Sequence, residues 1–158
     1  MKQFNEIKEE ILKRAHEAKA CTEQYKRAYS SASIEELCEV IKDNFYWCTN
    51  MGVIEAELIE KYKSIFAENK IYYNVNSAEG YILVYGNATV EANGNATVYA
   101  YGNAKVDANG NAKVYANGNT YVVSYYAIEC KLNNNAIYRV ISTNELHYCS
   151  DEIKLVKV

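Results

Sequence analysis

The sequence has no proline, one tryptophan, two histidines and only three phenylalanines in 158 residues. No stretch approaches the roughly 18 unbroken apolar residues that a membrane-spanning helix requires, so no membrane span is expected. The leading segment MKQFNEIKEEILKR is charged throughout and lacks the apolar run of a secretory signal, which points to a cytoplasmic protein. Five cysteines (Cys21, Cys38, Cys48, Cys130, Cys149) are scattered, odd in number and never paired as C-x-x-C. A zinc site or disulfide framework would show tighter spacing, so reduced thiols are expected and no metal is. Seventeen basic residues against 20 acidic ones give a net charge of −3. That balance excludes a chain that wraps nucleic acid, or imitates it, through charge alone, and direct nucleic-acid binding is not expected.

Catalytic signatures are missing as well. No G-x-S-x-G, H-E-x-x-H, Walker A or dinucleotide fingerprint occurs, so no cofactor is expected and the chain does not read as an enzyme. His16 falls beside Lys13 and Glu17 on a solvated helix surface. His147 and Cys149 share one face if that segment is a strand, yet no third member or oxyanion element accompanies them. Glu91 with Asp107 reads as a solvated acidic pair rather than a calcium site, which needs six or more converging oxygens.

What is present is 49% apolar and 23% charged residues, enough for a core, and 16 tyrosines. The composition changes near residue 70. Residues 1–70 carry 13 acidic and 11 basic residues with a single Gly; residues 71–158 carry 7 and 6 with six Gly. In the first part Ile7, Ile11, Ala15, Ala18, Thr22, Tyr25 and Ala28 follow helical steps of three and four, the stripe of one long helix. Ser30–Ser33 interrupts it, and Ser33 with Glu36 has the spacing of a capping box. Ile34, Leu37, Cys38, Ile41, Phe45 and Cys48 mark a second stripe; Leu58, Ile59, Tyr62, Ile65 and Phe66 mark a third. A three-helix segment over 1–70 is predicted.

The second part is an internal repeat. From Gly86 it runs GNATVEAN, GNATVYAY, GNAKVDAN, GNAKVYAN and GNTYVVSY, five octads over 86–125 without a gap. Eight is even, so strand alternation stays in phase, with Ala, Val and Gly at every second position; a helix would smear that pattern around its circumference. Each octad reads as about five strand residues and a corner at Asn-Gly, which tolerates positive φ. A flat sheet would expose one face of Ala and Val, whereas coiling buries the valines in a column. The fold class is therefore α+β: a helical front over 1–70, then a β-solenoid over 71–132, with residues 133–158 as strands that cap it. Ala136–Ser142 and Ile153–Val158 read as those strands. Equivalent positions on stacked rungs lie about 4.8 Å apart. A 16-residue coil aligns Leu83 with Tyr99 and Tyr115, and Tyr85 with Tyr101. A 24-residue coil pairs Glu91 with Tyr115. Sorting like with like favours two octads per coil over three.

On the two-octad coil Tyr85, Tyr99, Tyr101 and Tyr115 fall on outward positions of one face. Two compatible readings follow: cross-strand stacking that stabilises the sheet, and a rigid amphipathic platform for a protein partner. Phe45, Tyr46 and Trp47 in the helical part are a second candidate face. Sixteen tyrosines exceed what a narrow Ala/Val/Gly core can hide, so self-association as a homodimer is expected.

The segment HEAKACTEQYKRAYSSASIEELCEVIKDNFYWC, followed by GNA-x-V-x-A repeats, resembles small proteins of gut anaerobic bacteria and their phages and mobile elements. Those have a helical front and a repetitive β-solenoid, and some are associated with phage counter-defence, including inhibition of CRISPR nucleases. The resemblance covers nearly the whole chain and implies an interaction protein, with a host defence nuclease complex as the partner, but it assigns no residue a role. The alternative is a module that holds a ligand or glycan on the regular Asn, Thr and Tyr faces. An extracellular address or a calcium requirement would favour that alternative.

Overall fold

Residues 2–70 fold into six helices, five of them of ten residues or fewer, where the apolar spacing predicts three. The structure is a computed structural model that describes residues 2–77 and 79–149. Its chain divides into two compact units, Met1–Asn69 and Lys70–Val158. Helix α1 (Lys2–Glu17) does not run on into α2 (Thr22–Ser30). The Ala20 N–H donates to the Ala15 carbonyl (2.9 Å) and the Lys19 N–H to that of His16 (3.0 Å), with Lys19 at φ 58°. This pair of bonds is the Schellman stop, which glycine usually makes. Here a lysine makes it, so composition gives no warning. Helix α3 (Ile34–Asp43) starts as the capping spacing predicts: Ser33 Oγ accepts from the Glu36 N–H at 3.2 Å. The return arm differs, because Glu36 Oε2 accepts from the Ala32 N–H (2.7 Å), one residue earlier than in a standard box.

Asn44 separates α3 from α4 (Phe45–Asn50), its Nδ2 donating to the Val40 carbonyl at 2.8 Å. A short amide side chain that takes a helical carbonyl offers the backbone an alternative to continuing. Helices α5 (Ala56–Lys61) and α6 (Lys63–Glu68) part at Tyr62. Ile7, Ile11, Leu37, Ile41, Phe45, Leu58 and Phe66 are buried in this unit.

The second unit is a β-solenoid. Its strands are β1 (Ile71–Tyr73), β2 (Tyr81–Val84), β3 (Thr89–Ala92), β4 (Thr97–Ala100), β5 (Lys105–Ala108), β6 (Lys113–Ala116), β7 (Tyr121–Ser124), β8 (Glu129–Leu132), β9 (Ile137–Val140) and β10 (Glu145–Tyr148). They form two sheets, β1-β2-β4-β6-β8 and β10-β9-β7-β5-β3. Two octads make one coil. Val98 pairs with Val114 on one sheet and Val90 with Val106 on the other, each a parallel step of 16 residues. Val90, Val98, Val106, Val114 and Val122 are all buried, as the alternation predicts.

The corners stack as closely as the strands. Gly118 has φ 71°, and a Cβ placed on it would lie 3.0 Å from the Gly102 carbonyl oxygen. Beside the glycines runs an asparagine ladder: Asn103 Nδ2 donates to Asn87 Oδ1 (3.2 Å), Asn119 to Asn103 (3.0 Å) and Asn135 to Asn119 (3.1 Å). Where the repeat loses its glycine, Asn134 takes the same left-handed conformation, φ 56°.

Two expectations for the last residues change. Strand β9 pairs in parallel with β7, so regular coiling continues past residue 132 to Val140. The turn Ile141–Asn144 (Asn144 φ 55°) then folds β10 back antiparallel on β9, a strand the alternation does not indicate. The predicted strand Ile153–Val158 lies outside the described residues. At this end Tyr138 replaces valine in the column. Its hydroxyl lies 2.7 Å from Ser124 Oγ and accepts from the Ile128 N–H (2.9 Å), so the buried polar atoms are paired.

Candidate interaction faces

The 16-residue register places the four candidate tyrosines on the outer face of the first sheet in two stacks. Tyr85 and Tyr101 have ring centroids 5.8 Å apart; Tyr99 and Tyr115 lie 4.6 Å apart and 6° from parallel. Directly paired positions on adjacent strands are close enough for offset ring contact, which stabilises a sheet by about 0.2–1 kcal/mol per pair. The Lys131 ammonium sits 5.3 Å from the Tyr115 ring centroid, one rung further on. Exposure differs from expectation within this set. Tyr85 is exposed and Tyr101 and Tyr115 are half-buried, but Tyr99, between the Leu83 and Tyr115 rungs, is buried.

Phe45, Tyr46 and Trp47 do not form one face. Successive helical residues point about 100° apart, and the three rings diverge accordingly. Phe45 belongs to the helical core, Trp47 is half-buried and Tyr46 is exposed.

A face that the sequence reading missed lies on the second sheet. Outward positions of β3 and β5 are polar: Thr89 pairs with Lys105, and Glu91 with Asp107. Further along the same rows the residues turn apolar, except at the exposed Arg139, which follows Val123. Lys105 is followed by Tyr121 and then Ile137, and Asp107 by Val123. Strand β10 extends both rows, with Tyr148 opposite Ile137 and Leu146 opposite Arg139. Leu146 is 39% exposed and Tyr148 42% exposed. The signal was present in the last octad, GNTYVVSY, where Tyr121 and Val123 stand in the polar positions. Val123 makes that strand apolar on both faces.

Burial pushes the Cys38, Cys48 and Cys130 thiols up to about 12, far from a reactive thiolate. The His147 ring stacks on Tyr138 at 5.5 Å and its Nε2 lies 3.5 Å from Glu145 Oε2, an exposed arrangement. Among the described residues no group of three or more His, Cys, Asp or Glu is placed to hold a metal ion. No described helix is long and apolar enough to cross a membrane. No family model matches the chain, and comparison with curated proteins and with solved structures found no match.

Proposed function

We propose that the chain is a non-enzymatic protein-interaction module whose solenoid offers a rigid face to a protein partner. The observation that carries this reading is the apolar end of the second sheet, where Tyr121, Val123, Ile137, Leu146 and Tyr148 occupy outward positions. Large apolar side chains gathered on one outward face, here around Arg139, favour a contact with another protein. Tyrosine on stacked strands supplies contact area with little conformational entropy to lose. The resemblance to helical-plus-solenoid proteins of gut bacteria and their phages suggests the partner class, a host defence nuclease complex that the protein inhibits. The same face serves a homodimer when no partner is present, since one self-complementary patch suffices for a two-fold contact.

The test is a CRISPR nuclease cleavage assay, with binding followed by co-purification, for the wild type and for Leu146→Ser/Tyr148→Ser. Inhibition by the wild type, lost in the double variant while its circular dichroism is unchanged, is the expected result. Wild-type protein that neither binds nor inhibits, or a double variant with full potency, sinks this reading. Light scattering at micromolar concentration decides the dimer: a monomer mass removes it.

A further inference from the structure

The helical unit contains a cavity of about 270 Å³ that the interaction reading does not use. Its base is closed by buried Ile11, Ala28, Leu37 and Val53, and the half-buried Trp47 lines its side. It lies among α1, α2, α3 and α4, which line it on either side of the Lys19 turn and of Asn44. A lining made mostly of Ile, Leu, Val and Ala side chains favours an apolar molecule over water, which finds few partners along it.

The polar groups narrow the occupant further. Gln24 Oε1 accepts from Arg27 (2.8 Å) and from Asn44 Nδ2 (3.1 Å), which turns its Nε2 donors toward other partners. No hydrogen-bond partner for that amino group occurs among the described residues. Arg27, whose other nitrogen lies 2.7 Å from Asp43, does not line the cavity, and neither do Asp, Glu, Lys or His. We infer that this cavity is a binding site for a small, uncharged, mostly apolar molecule that presents one hydrogen-bond acceptor to Gln24. A volume of 270 Å³ holds on the order of nine water-sized groups.

Trp47 is the only tryptophan of the chain and reports on the site directly. The full chain is titrated with 1-octanol, and with octanoate and octylammonium as charged counterparts, following Trp47 emission and melting temperature. The expected result is a saturable emission change and raised melting temperature with 1-octanol, and binding of both ions weaker by about tenfold or more. Ala28→Leu fills the base and is expected to weaken 1-octanol binding by about tenfold or more with helicity retained. Ala20→Leu, on a half-buried wall, decides the matter should Ala28→Leu fail to fold. Absence of saturable 1-octanol binding, unchanged affinity in the folded filling variant, or equal affinity for the ions overturns the assignment.

Discussion

Adding one methyl group at two corners of the solenoid separates backbone strain from rung stacking. Gly86 and Gly118 have nearly the same conformation, φ 73° and 71°. Alanine at either position therefore meets the same left-handed penalty, about 1–2 kcal/mol. Their surroundings differ. A Cβ on Gly86 has nothing within 4 Å, whereas one on Gly118 lies 3.0 Å from Gly102 O and 3.2 Å from Gly102 N. Both contacts are backbone atoms of the neighbouring corner, which cannot rotate aside. The corner must open or the rungs must separate, an overpacking strain of about 1–3 kcal/mol. Gly86→Ala is thus expected to lose about 1–2 kcal/mol and Gly118→Ala about 2–5 kcal/mol. Urea unfolding followed by circular dichroism measures the difference at unchanged m-value. For a unit of this size each kcal/mol corresponds to about 4–8 °C in melting temperature. Equal losses at the two sites, within about 0.5 kcal/mol, would refute close corner stacking.

Val106→Asp puts an unpaired charge between Val90 and Val122 and is expected to unfold the solenoid, read as loss of its cooperative melting transition. Outward Thr89→Ala is expected to change stability by no more than about 0.5 kcal/mol in the same assay. Asn103→Ala removes two bonds of the exposed ladder and is expected to lose about 1–2 kcal/mol in urea unfolding; a neutral result would show the ladder to be solvated ornament. The folded state holds the Cys38, Cys48 and Cys130 protons more tightly than the unfolded chain, whose thiols titrate near 9.0. Their contribution to stability is complete below pH 9 and falls as the pH climbs toward about 12, which urea midpoints across that range measure. Iodoacetamide on the native protein is expected to label the exposed Cys21 and Cys149 before the buried Cys38 and Cys48, as counted by mass spectrometry.

The solenoid was legible because its determinants are local and periodic. An eight-residue repeat keeps valine on one side of every strand, and the match of Tyr99 with Tyr115 indicated a 16-residue coil before any pairing was known. The helical unit was read less well. Its breaks are made by Lys19, Asn44 and Tyr62, residues that helices also tolerate, so neither the left-handed turn at Lys19 nor the side-chain bond of Asn44 to the Val40 carbonyl is announced by composition. The candidate faces divide in the same way. The tyrosine stacks follow from register, while the patch on the second sheet needs β10, whose residues Leu146 and Tyr148 carry no repeat signal. Periodicity fixes which way a side chain points from its own strand, and the sequence determined that much by itself. How deeply Tyr99 is covered, where the chain turns back at Ile141–Asn144, and whether a cavity opens beside Trp47 were decided by tertiary structure alone. Burial and cavity volume depend on atoms brought close from distant positions, and no spacing along the chain encodes them.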